Sequence, residues 1–98
     1  MPHFLVTLSQ SGPQFDRSKP VQEQSGWAEH AAFMDALVER GFIVIGGLLP
    51  DFRAAHAVEA ASEAQVRETL AKDNWSGSHL VLERVEPWDV KLDGTRRG

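Results

Sequence analysis

The chain has 98 residues, 42% of them apolar, no cysteine, and a formal net charge of -4 at pH 7. That length suits one compact domain, the missing cysteines exclude disulfides and thiolate chemistry, and the mild acidity leaves no electrostatic footprint for nucleic acid or an anionic membrane. No run approaches the roughly 18 apolar residues of a membrane span, and MPHFLVTLSQ lacks the pattern of a secretory leader, so a cytoplasmic protein is expected.

Residues 3–9, HFLVTLS, alternate Phe4, Val6 and Leu8 with Leu5 and Thr7, the period of a strand. Residues 9–26 carry prolines, glycines and polar side chains that exclude a regular element. A loop of that length in a small domain is usually functional or disordered, and Phe15, Asp16, Arg17 and Lys19 make it a potential lid. GWAEHAAFMDALVERG, residues 26–41, is an amphipathic helix with Ser25 as N-cap and Gly41 as its left-handed stop. FIVIGGLL, residues 42–49, reads as a buried strand, Pro50 and Asp51 as a turn, and RAAHAVEA, residues 53–60, as a weaker strand. SEAQ, residues 62–65, is a capping box opening a second helix that runs to about Asp73. Residues 78–88, SHLVLERVEPW, supply a last strand that Pro87 ends or edges.

The order β-α-β-β-α-β is the α+β, ferredoxin-like arrangement: an antiparallel four-stranded sheet with both helices on one face. It takes up residues 1–92 as a single domain and leaves 93–98 as a tail, where Arg96 and Arg97 form the one basic cluster. Several strands offer apolar residues on both sides, Leu5 opposite Phe4 and Val6, Val81 and Val85 opposite Leu80 and Leu82, so something must cover the second face. A twofold copy presenting the same sheet would do so, and a homodimer enclosing a barrel-like core is expected.

Two ionisable residues sit where core residues belong. On the first helix Trp27, Ala31, Met34, Leu37 and Val38 form the apolar stripe, and His30 falls within it. On the second, Asp73 lies seven residues beyond Val66 and three beyond Leu70, on their face and in the last turn. A carboxylate there is opposed by the helix dipole and by burial, so it needs a cation or strong donor. His30 can supply one if the two helix ends meet. A structural tie between helices would satisfy both groups equally well.

His30, followed eleven residues later by Gly41 and then by the strand ending in Gly46 and Gly47, resembles the spacing of the YCII-related proteins, small dimeric α/β-barrel domains. ASEAQVRETLAKDNW resembles their second helix, which ends in an Asp-Pro-aromatic motif, here Asp73, Asn74 and Trp75. The resemblance spans about residues 3–92. Asn74 stands for the usual proline, Leu48 follows the glycines where a proline is frequent, and the loop of residues 10–25 is longer than usual. The resemblance implies an enzyme-like site on His30 and Asp73. The family's activities are largely unassigned; a dehydrochlorinase of chlorinated hydroquinones is among its relatives.

Such a pair suits general acid/base catalysis: the carboxylate sets the tautomer of the ring and stabilises the imidazolium, leaving the other nitrogen for the substrate. The expected activity is proton abstraction, elimination or isomerisation of a small organic acid or phenol, without a cofactor. Trp27, Trp75, Met34 and Ser9 are the expected substrate-binding residues, with the two tryptophans walling the pocket. Ser9, Ser25 and Ser78 fit turns and caps better than a nucleophile. His3, His56 and His79 fall on three expected strands without any metal-binding spacing, so no metal is expected. Gly46 and Gly47 form no phosphate loop and suit a bulge or a close backbone approach. A binding module, and a purely structural domain, remain the alternatives to an enzyme.

Overall fold

The computed structural model describes residues 1–95, so Arg96 and Arg97 lie outside the described residues. Along the chain run β1 (His3–Ser9), a 3-10 turn (Val21–Glu23), α1 (Trp27–Glu39), β2 (Ile43–Leu49), β3 (Arg53–Glu59), α2 (Glu63–Leu70) and β4 (Val81–Trp88). The strands form one antiparallel sheet in the order β2-β3-β1-β4, which is the ferredoxin-like order. Among the described residues no helix is long and apolar enough to cross a membrane.

The core lies between the helices and one sheet face. Phe4, Val6 and Leu8 of β1 are buried there with Ala54 and Val58 of β3, and Leu37 of α1 and Val66 and Leu70 of α2 close over them. The capping box holds: Ser62 Oγ accepts from the Gln65 amide at 3.1 Å, while Gln65 Oε1 accepts from the Ala61 amide at 2.6 Å.

Two bulges redirect side chains that simple alternation places otherwise. Between Leu8–Leu82 and Thr7–Arg84 the β4 register slips, leaving Glu83 unopposed. Val85 therefore shares the inner face with Leu80 and Leu82, which corrects the expectation that it lies opposite them. A second slip at Val44 turns Ile45 to the open face. The expectation of a buried strand at residues 42–49 holds only at its start: β2 is the sheet edge, and Ile45 and Leu48 are 64% and 65% exposed.

The helix ends differ from expectation as well. Gly26, at φ 73, is the N-cap of α1 and gives no side-chain cap, so Ser25 is not the cap. Val38, placed on the inner stripe, is exposed at the rim of a cavity beside the inner sheet face. α2 ends at Leu70, and Asp73 stands in the turns that follow. Residues 78–80 also precede β4, so His79 lies in a buried connection rather than on a strand.

The segment at residues 10–25 is tied down along its length. The Gly12 and Gln14 amides donate to the carbonyls of His79 and Ser78 at 3.0 and 2.8 Å, and the Gln10 amide to that of Phe52 at 2.7 Å. Buried Gln24 accepts from the Asp16 amide and donates to the Asp16 carbonyl. The Phe15 ring meets Phe52, Trp75 and His79 edge-on, and Arg17 sits 4.3 Å over Phe52. Phe15 is thus packed against the body of the domain, while Asp16, Arg17 and Lys19 stay exposed.

Candidate functional site

Asp73, Asn74 and Trp75 clamp the start of α1. Asn74 Nδ2 donates to the Gly26 carbonyl at 3.0 Å and Trp75 Nε1 to the Ser25 carbonyl at 2.8 Å. Only glycine fits at residue 26, since its φ is positive and a Cβ there would stand 2.7 Å from Asn74 Nδ2. A proline at 74 has no amide to donate; the departure from the YCII-like pattern thus supplies one of the two clamping bonds.

That clamp brings the sequence-distant pair together. His30 Nδ1 lies 3.0 and 2.8 Å from Oδ1 and Oδ2 of Asp73, both residues 8% exposed. Facing a carboxylate, Nδ1 is the protonated nitrogen. Asp73 Oδ1 also accepts from the Trp75 amide at 3.2 Å, which fixes the carboxylate plane. The indole of Trp75 is stacked between two imidazoles, His30 at 4.1 Å on one side and His79 at 4.6 Å on the other. Ser25 and Ser78 hydroxyls hold the two nitrogens of His79, each at 2.9 Å.

His30, Asp73, Trp75, Trp27 and Met34 line one cavity of about 350 Å³ beside the inner sheet face. A volume of that order fits a small organic ligand. Among the described residues His30 Nε2 has no hydrogen-bond partner, and it is open to this cavity. The remaining walls are mostly apolar, with Leu70, Leu80 and Leu82 prominent and Arg67 the cationic residue among them.

Ser9 does not join the group. Its neighbours in register are Arg53 of β3 and Val81 of β4, on the open face, and its Oγ donates to Glu83 at 2.6 Å. His3 is on that face too, 2.9 Å from Glu59, whereas His56 pairs in register with Val6 on the inner face. The described residues contain no cluster of three or more potential metal ligands.

Two residues of the cavity wall are not assigned to the site from sequence, although Gly46 reads there as allowing a close backbone approach. His56 projects into it from β3, pushed below the ordinary histidine range by burial and then by the charge of His30. Gly46 lies directly across from it on β2, where a Cβ would fall 1.9 Å from His56 Nδ1. A glycine inside a strand was the available signal, but strand pairing had to be known before it pointed at a histidine. No protein-family model matches this chain, and comparison with curated proteins and with solved structures yields no significant match.

Proposed function

We propose that the protein is an enzyme in which His30 transfers a proton at the cavity and Asp73 orients and charges-stabilises its ring. The substrate class is a small organic acid or phenol, and the reaction a proton abstraction, elimination or isomerisation that the chain's own groups perform without a cofactor. One observation carries this reading: Nδ1 of His30 is held by both oxygens of a buried carboxylate while Nε2 opens to a cavity of ligand size. A purely structural ion pair has no need of the second feature. The stack on Trp75 adds to it, because an imidazolium formed at His30 lies over the negative face of the indole. The resemblance to the YCII-related proteins points to the same two residues.

The same reading includes a homodimer through the open sheet face. Leu5, Ile45, Ala57, Leu49 and Trp88 lie together there around a shallow depression, with Ile45 and Trp88 well exposed. A self-complementary contact across this face would remove them from water.

Turnover of halogenated phenols, small lactones and dienols by the wild type and by His30→Ala tests the proposal. The variant should fold and lose about 10² to 10⁴ in rate. Turnover unchanged in His30→Ala overturns the reading, and ligand binding without turnover of any compound favours a binding module.

A further inference from the structure

We propose that His56 is the second working imidazole of the cavity, its Nε2–H holding the oxygen of an enolisable carbonyl substrate while His30 Nε2 removes the adjacent proton. This rests on the acid/base reading of His30 and names the substrate class for it.

The tautomer of His56 follows from its surroundings. Nδ1 is buried and has no hydrogen-bond partner among the described residues, pressed against the backbone of Gly46. Orphaned buried N–H groups are rarer than under-satisfied acceptors, so the lone pair sits at Nδ1 and the hydrogen at Nε2. Nε2 is the nitrogen left open on a ring that lines the cavity. Burial and the neighbouring His30 hold the ring neutral, so it donates a hydrogen bond without adding a charge.

A neutral donor suits an oxygen whose charge develops only during reaction. When His30 Nε2 takes the proton, the C–H pair becomes the new C=C bond and the carbonyl π pair moves to oxygen. His56 Nε2–H stabilises that enolate oxygen. Where the substrate carries a β,γ double bond the intermediate is a dienolate: the oxygen pair re-forms the carbonyl, the double bond shifts into conjugation and the γ-carbon takes the proton back from His30, so the isomerisation balances without an oxidant or co-reactant. The walls of Met34, Leu70, Leu80 and Leu82 select a compact, mainly apolar carbon frame. Gly46 is the specificity of the arrangement in the backbone, since any side chain there would displace the ring.

The test is titration of 4-nitrophenolate, an enolate-like oxygen with its own absorbance, into the wild type, His56→Ala, His56→Gln, Gly46→Ala and Gly47→Ala. Wild type should bind it; His56→Ala and Gly46→Ala should weaken binding about tenfold or more, the worth of one hydrogen bond to a charged group. His56→Gln, which keeps an N–H near the same place, should retain part of the affinity. Gly47→Ala should match wild type, because a Cβ there meets nothing within 4 Å. Equal affinity in His56→Ala, or no binding by wild type at millimolar probe, overturns the proposal. Histidine ¹⁵N spectra of the wild type decide it should the variants fail to fold: a hydrogen on Nε2 of His56 is expected, and one on Nδ1 overturns it. Loss of proton transfer in His30→Ala with unchanged phenolate affinity in His56→Ala defeats this proposal alone. Lost phenolate affinity in His56→Ala with turnover intact in His30→Ala defeats the acid/base reading and the proton removal that rests on it, leaving His56 as an oxygen-binding residue only.

Discussion

The imidazole of His30 lies flat on the indole of Trp75, ring centroids 4.1 Å apart and planes 7° from parallel. Trp75 in turn gives its amide to Asp73, so His30, its carboxylate partner and its aromatic support form one unit. Each member holds the next in the orientation that leaves His30 Nε2 facing the cavity.

Asp73→Asn tests the unit with little change of shape. The amide can donate to Nδ1 and move the ring hydrogen to Nε2, which removes the base and the charge that stabilises the imidazolium. Turnover should fall about 10²-fold or more with a small change in KM. Asp73→Ala, which leaves the Trp75 amide and His30 Nδ1 without their buried acceptor, should also cost roughly 1–3 kcal/mol of stability by urea denaturation.

Acidification should destabilise the protein through two histidines. His56 is held below 6.5 by burial and then by His30, and His79 by burial and His30 against an opposing pull from Asp73. The fold therefore keeps both neutral where the unfolded chain binds protons. Their contribution is fully present above about pH 6.5 and is lost as pH falls below that value toward the lowered folded values. Urea midpoints at pH 7.5 and 5.5 should differ in that sense, and His79→Asn should reduce the difference.

Gly12→Ala should loosen the long loop. A Cβ there would come within 2.4 Å of the Ser78 carbonyl oxygen, a backbone atom that has no room to withdraw. Overpacking of this kind costs about 1–3 kcal/mol. The loop carries Phe15 against Trp75 and His79, so hydrogen exchange should rise at residues 10–25 and 75–80 together.

Much of this was legible in the chain because it rests on local patterns. Alternation in HFLVTLS, the SEAQ cap and the glycine after the first helix are short-range signals, and they set the βαββαβ order. His30 and Asp73 stood out as polar residues on apolar stripes, and they do meet. What alternation missed lies where the count slips: Glu83 and Val44 are extra residues in the ladder, and they move Val85 inward and Ile45 outward. Ser9 was misplaced although the alternation of HFLVTLS already carries it to the side of Leu5 and Thr7, away from Phe4, Val6 and Leu8. A glycine inside a strand marks Gly46 for a close approach, but which side chain approaches it depends on the pairing between strands.

The open sheet face should mediate dimer formation. Ile45→Glu and Trp88→Glu each place a charge amid Leu5, Ala57 and Leu49 without touching the inner core. Light scattering should give twice the chain mass for wild type and a shift to the single-chain mass for either variant at micromolar concentration. A single-chain mass for wild type would contradict the dimer while leaving the His30 site in place.

The most direct measurement is solvent deuterium uptake by a panel of small enolisable acids, enones and phenols in D₂O, followed by NMR with wild type, His30→Gln and Asp73→Asn. Wild type should accelerate carbon-bound exchange in at least one compound by about 10²-fold over His30→Gln, with Asp73→Asn also impaired. Identical exchange rates for wild type and His30→Gln across the panel would contradict the account.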